Sequence, residues 1–142
     1  QQVGILVWSP LSFGLLSGKY RRGSPKPDDT RLAQLEPPGT VDWERLYRIV
    51  DVLDEIARAR GKSVPQVALN WLLRRPGITS LILGARNEVQ LRDNLGAVGW
   101  SLTEDEVRRL ETAGDVPEIY PYWHQHKWGL ERNPRVARNY QP

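Results

Sequence analysis

Apolar residues change period along this chain, and each change marks an element. Gly4-Ile5-Leu6-Val7-Trp8 is a continuous apolar run stopped by Ser9-Pro10. Such a run predicts a short strand buried on both faces, as in a parallel sheet. Leu11 to Tyr20 carries Gly14 and Gly18 and reads as a loop holding one helical turn. Arg21 to Thr40 contains Pro25, Pro27, Pro37, Pro38, Gly23 and Gly39, a long polar loop of the kind that is functional or mobile. From Asp42 to Arg60 the period becomes helical. Trp43, Leu46, Ile49, Val50, Leu53, Ile56 and Ala57 form one stripe, with Asp42 as N-cap and Gly61 beyond the end. Ser63-Val64-Pro65-Gln66 is a capping box for a helix running to Arg74, which is expected to bury Val67, Ala68, Trp71 and Leu72. Pro76-Gly77 ends it, and Ile78 to Leu83 reads as a second short buried strand. Asn87 opens a helix from Glu88 to about Val98, and Thr103-Glu104-Asp105-Glu106 is a capping box for a helix to about Ala113. Beyond Pro117 the chain is aromatic and irregular. Strands alternating with helices predict a parallel α/β architecture.

Composition narrows the chemistry. The chain has 142 residues, 39% hydrophobic and 26% charged, with no apolar run long enough to span a bilayer. Cysteine is absent, which excludes disulfides, thiolate catalysis and thiolate-bound metals. The only histidines, His124 and His126, form an H-x-H pair without a third ligand nearby, so no metal site is read. Lys+Arg is 20 against Asp+Glu 17, for a net charge of +3. Acids and bases alternate along the helices, the pattern of a solvated surface and not of a nucleic-acid binder. No signal peptide, lipidation motif or membrane span is visible, and the expected compartment is the cytoplasm. Methionine is absent even at position 1, and Gln1-Gln2-Val3 leads straight into an apolar strand. The chain therefore reads as a piece of a longer protein.

Three segments carry more specific information. They are Trp8-Ser9-Pro10-Leu11-Ser12-Phe13-Gly14-Leu15-Leu16-Ser17-Gly18-Lys19-Tyr20, Gly61-Lys62-Ser63-Val64-Pro65-Gln66-Val67-Ala68-Leu69-Asn70-Trp71, and Ile82-Leu83-Gly84-Ala85-Arg86-Asn87-Glu88-Val89-Gln90-Leu91-Arg92-Asp93-Asn94-Leu95. In this order, and over nearly the whole chain, they resemble the aldo/keto reductase superfamily. The resemblance implies the C-terminal part of a (β/α)8 TIM barrel, with its last two strands at Gly4–Trp8 and Ser80–Leu83. Two strands cannot close such a barrel, which needs eight in roughly 250 residues. Residues 1–116 would then be the barrel segment and 117–142 an aromatic tail, suited to walling a substrate pocket or to an oligomer contact.

The resemblance also implies NADPH as cofactor and the reduction of a small aldehyde or ketone to an alcohol. Ser9, Pro10 and Leu11, with Trp8, Ser12 and Phe13 beside them, would lie near the nicotinamide ribose and pyrophosphate. Lys19 would serve the phosphates, and Arg31 would reach over the cofactor from the long loop. Gly84, Arg86, Gln90, Asp93 and Asn94 would surround the adenosine 2′-phosphate and the adenine. Helical spacing puts Gln90, Asp93 and Asn94 on one side of their helix, and Arg86 at its start suits a phosphate. The family's catalytic Asp, Tyr, Lys and His cannot be matched to any residue here, so no catalytic residue is assigned and the chain by itself is expected to be inactive.

Several residues allow a plainer reading. Gln90 could complete a capping box with Asn87, and Asp93 could be a solvated helix residue. Lys19, Arg21 and Arg22 could form a solvated basic turn, Asn94 could cap a loop, and Trp43, Trp71 and Trp100 read as packing. At the level of function, the alternatives are a non-catalytic, nucleotide-sensing relative of the channel β-subunit kind and an Arg-rich nucleic-acid binder.

Overall fold

Helical and extended segments follow the sequence pattern closely in a computed structural model. It describes residues 3–25, 27, 28, 30–34, 39–116, 124 and 128, with the side chains of Arg31 and Gln34 left aside. The elements are β1 (Ile5–Trp8), a 3₁₀ segment (Ser12–Ser17), α1 (Arg31–Gln34), α2 (Trp43–Arg60), α3 (Val64–Leu73), β2 (Ile78–Ile82), α4 (Glu88–Leu95) and α5 (Glu104–Gly114). β1 and β2 pair in parallel, Leu6 opposite Ser80 and Trp8 opposite Ile82, with one irregularity between Ile5 and Leu6. A parallel pair requires a crossover, which the segment from the 3₁₀ turn through α3 provides.

Capping residues fix the helix starts. Asp42 accepts from the Arg45 N–H, and Gly61, left-handed at φ 61°, closes α2. Ser63 and Gln66 form the expected box on α3, as Thr103 and Glu106 do on α5. The main core lies between α2, α3 and the chain around α5, where Leu53, Ile56, Val67, Leu102 and Leu110 are buried. A smaller cluster joins Leu15 and Tyr20 to Leu46 and Val50 at the first half of α2. Ion pairs staple the outer surface. Arg60 grips Glu106 in a bidentate pair at 2.7 Å, and Arg109 pairs with Glu55 and Arg75 with Glu111.

Four expectations change. The strands are parallel but not buried on both faces: Ile5 is 50% exposed, Leu6 63%, Trp8 67% and Ile82 50%. A two-stranded sheet has helices on too little of its surface to cover them. The apolar period of α4 runs on to Val98, yet the α-helix ends at Leu95. Ala97 and Val98 donate to the carbonyls of Asn94 and Leu95, so the last turn tightens to i→i−3 bonds. On α3 the deepest residues are Val67 and Leu69, with Asn70 buried beside them, whereas Trp71 and Leu72 are only half-buried. The Pro/Gly-rich loop contains the short helix α1, because the buried Thr30 hydroxyl accepts from the Ala33 N–H and caps it. The proposed tail, residues 117–142, lies outside the described residues except for His124 and Trp128, and so do His126 and the tail tyrosines.

Candidate active site cleft

The carboxyl ends of both strands, the start of α3 and one face of α4 enclose an open cleft of about 740 Å³. The turn leaving β1 builds one wall. Ser9, Ser12 and Phe13 have positive φ angles of 55°, 48° and 56°, rare for residues with a side chain. Each such residue stores about 1 kcal/mol of strain or more. Short bonds hold the turn: the Ser12 N–H donates to the Ser9 carbonyl at 2.8 Å and the Gly14 N–H to Leu11 at 3.0 Å. Pro10 is buried beneath it.

The chain beyond this wall is riveted to α2. The Arg21 guanidinium donates to Asp54 at 2.8 Å and to the Gly18 carbonyl at 3.0 Å, on either side of the exposed Lys19. Its hydrogen bond is the main reason the Asp54 carboxyl is held below the usual carboxylate range. Arg22 holds Glu44 and lies over the Tyr47 ring. Deeper in, the Tyr20 hydroxyl donates to Thr30 at 2.9 Å, which brings the start of α1 to the cleft edge.

The opposite wall is α4. Asn87 accepts from the Gln90 N–H at 2.9 Å, and the Gln90 side chain accepts from the Arg86 N–H at 3.0 Å. This is a capping box displaced by one residue, and it fixes the Gly84-Ala85-Arg86 turn. Asp93 is not a solvated helix residue. Its carboxylate accepts from the Ser63 hydroxyl and from the Gln66 amide, both at 3.0 Å. Asn94 is 7% exposed and lines the cleft, with no side-chain hydrogen bond to another described residue. A Cβ added at Gly84 would meet open space.

Of the predicted residues, Trp8, Ser9, Pro10, Leu11, Phe13, Lys19, Gly84, Arg86, Gln90, Asp93 and Asn94 line this one cleft. Ser12 does not; its backbone shapes the wall while its side chain is exposed to solvent. Arg31 is the first residue of α1, next to the lining residue Thr30, and its side chain is outside the described residues. Sequence reasoning missed Tyr20, Thr30, Ser63 and Pro65 as lining residues. Ser63 and Pro65 were legible only as a helix start, and that start opens on the cleft. Among the described residues no cluster of three metal-ligating side chains exists, and no helix is long and apolar enough to cross a membrane.

Comparison with known proteins identifies the family. Residues 1–115 match the aldo/keto reductase family. The chain is 38% identical over 112 residues to the chloroplastic pyridoxal reductase of Arabidopsis thaliana, covering 78% of this chain and 28% of that protein. It is 31% identical over 125 residues to the uncharacterized oxidoreductase YrpG of Bacillus subtilis, covering 84% of this chain and 36% of that one. The solved glycerol dehydrogenase AKR11B4 of Gluconobacter oxydans superposes with a TM-score of 0.62 at 29% identity, covering 83% of this chain and 37% of that one. The chain thus spans 28 to 37% of the length of these relatives. With the strand-end cleft and the family match over residues 1–115 together, the chain belongs to the aldo/keto reductase family.

Proposed function

We propose that these residues are the cofactor-holding part of an NADPH-dependent reductase that converts aldehydes or ketones to alcohols. The observation that carries this reading is the convergence of Lys19, Arg86, Gln90, Asp93 and Asn94 on one cleft at the strand ends. A phosphorylated dinucleotide needs cations, room for its phosphates and polar groups for its base. Lys19 and Arg86 are exposed cations at the cleft, and the start of α3 adds the positive end of a helix dipole. Gly84 leaves space, and Asn94 is a buried amide facing the cavity. The residues therefore fit the group.

In this reading Ser9, Pro10 and Leu11 hold the nicotinamide ribose and pyrophosphate, between Trp8 and the backbone of Ser12 and Phe13. Lys19 and Arg31 serve the phosphates. Gln90, Asp93 and Asn94 hold the adenine, and the Arg86 guanidinium takes the 2′-phosphate in a fork that NADH cannot fill. Bound NADPH supplies a hydride to the substrate carbonyl carbon; the residues here bind and orient it. Proton transfer to the carbonyl oxygen belongs to residues outside these 142, so the chain alone is inactive. The two strands would close a (β/α)8 barrel whose other strands cover the exposed faces of Leu6, Trp8 and Ile82. A small carbonyl substrate, a cytoplasmic setting and subunit contacts through residues 117–142 belong to the same proposal.

Arg86→Ala tests it by titration of tryptophan fluorescence, with Trp8 as a reporter in the cleft wall. Loss of a charge-assisted pair weakens NADPH about tenfold to a hundredfold and leaves NADH nearly unchanged. Equal losses for both nucleotides refute Arg86 as the discriminator. Failure of the parent protein to bind either nucleotide refutes the cofactor reading.

A further inference from the structure

The two residues that cap α3 also hold α4, and no spare donor is left between them. Ser63 accepts from the Gln66 N–H at 3.3 Å and donates to Asp93 Oδ2 at 3.0 Å. Gln66 accepts from the Ser63 N–H at 3.2 Å through Oε1. Its Nε2 donates to Asp93 Oδ1 at 3.0 Å and to the Asp93 carbonyl at 2.8 Å. A serine has one hydroxyl proton and a glutamine amide two, and all are directed at Asp93. The approach is close enough that a side chain at position 96 would push the Gln66 amide off Asp93. A Cβ on Gly96 would lie 2.4 Å from Gln66 Nε2 and 3.1 Å from the Asp93 carbonyl oxygen. Ser63, Asp93 and the next residue, Asn94, all line the cleft.

We propose that Ser63 and Gln66 are positioning residues that clamp Asp93 as a fixed acceptor in the cleft wall and so set a preference for a base bearing an exocyclic amino group. This rests on the cofactor reading above. The clamp occupies one lone pair on each carboxylate oxygen and leaves the others for a ligand. An amino group on the base can donate to them, whereas a carbonyl in its place meets two acceptors with no proton between them. Because the donors come from the helix before and the acceptor from the helix after β2, the clamp also sets how far Asn94 stands from the start of α3.

The test separates the clamp from the cap. Ser63→Asp keeps a good N-cap but aims a second carboxylate at Asp93. Gln66→Glu keeps the box acceptor and removes both donors. Each variant, with Ser63→Thr as the conservative control, is titrated with NADPH and with its hypoxanthine analogue, in which a carbonyl replaces the amino group. The parent and Ser63→Thr should prefer NADPH. The two acidic variants should weaken NADPH on the order of tenfold, with little change for the analogue and unchanged helix content. Equal weakening of both nucleotides assigns Ser63 and Gln66 a merely structural role and overturns the proposal, as does a parent that binds both equally. In those cases the cofactor reading stands. A parent that binds neither overturns both.

Discussion

Asn70 offers the sharpest test of how the helical layer is held. Its side chain is 3% exposed on α3, and it donates to the carbonyls of Ala97 and Trp100, both at 2.9 Å. It also accepts from the Leu102 N–H at 3.1 Å. One amide thus satisfies three backbone groups of the connection between α4 and α5. Asn70→Leu keeps the branched shape and removes all three bonds. Ala97 and Leu102 are 2% and 1% exposed, so their freed groups find no water. Two buried unpaired groups cost about 1–3 kcal/mol each, and the added apolar burial returns about 1 kcal/mol, for a net loss of about 3 kcal/mol. Urea denaturation followed by circular dichroism measures that loss, and amide exchange at Leu102 localises it. Asn70→Asp adds a pH signature. The introduced carboxylate keeps the bond from Leu102 but faces two carbonyl oxygens, which raises its folded pKa above the unfolded value near 3.9. The folded state then binds the extra proton, so the variant recovers stability as pH falls through that folded pKa and loses it above. A loss under about 1 kcal/mol for Asn70→Leu, with Leu102 still protected, refutes the reasoning.

Three further outcomes follow from the same geometry. The Glu106 carboxyl is lowered to about 2, chiefly by its hydrogen bonds from Arg60. A depressed carboxylate stabilises the fold above its unfolded pKa and loses that contribution as pH falls from about 4.3 toward the folded value; Arg60→Ala should remove this acid-sensitive stability and raise the Glu106 pKa followed by NMR. Gly84→Ala should leave the melting temperature unchanged, since the added methyl meets open space, and should weaken NADPH severalfold in a fluorescence titration. Residues 1–142 expressed alone should self-associate through Leu6, Trp8 and Ile82; a monomer by analytical ultracentrifugation, with a sharp cooperative melt, contradicts this.

Local rules were enough for much of the fold. Both capping boxes, the full length of α2 and the parallel pairing of the strands are written in nearest-neighbour chemistry and period. Burial of the strands was not, because an apolar run records what a surface is suited to, not what covers it. Thr30, which caps α1, is held by a hydrogen bond from Tyr20, and no local pattern signals a pair ten residues apart in a loop. In the cleft, the strand-end residues and one face of α4 were legible from motif and spacing. The bonds from Ser63 and Gln66 to Asp93 were not. They join residues 30 and 27 positions apart through polar contacts that leave no periodic trace. Asn70 was likewise hidden, a lone amide in the run Val67-Ala68-Leu69-Asn70-Trp71 whose partners lie beyond the second strand.

These polar ties account for the placement of α4. The helix buries one residue, Asn94, while Leu91 is 43% exposed and Leu95 54%, and Val98 just beyond it is 64% exposed. Apolar area alone would hold it weakly, and being non-directional would not fix its rotation about its own axis. The bonds to Asp93 act at its last turn, and those from Asn70 to Ala97 and Trp100 act just beyond. The Trp100 indole N–H closes the same turn on the Gly96 carbonyl at 2.9 Å. Directional bonds at one end set both rotation and depth, and so aim Gln90 and Asn94 at the cleft. Across the cleft, the positive φ angles of Ser9, Ser12 and Phe13 hold the other wall in a shape the chain would not adopt unaided. Two walls fixed by geometry instead of packing can meet a ligand without first being ordered by it. Loosening either set of ties should therefore lower affinity before it lowers helix content.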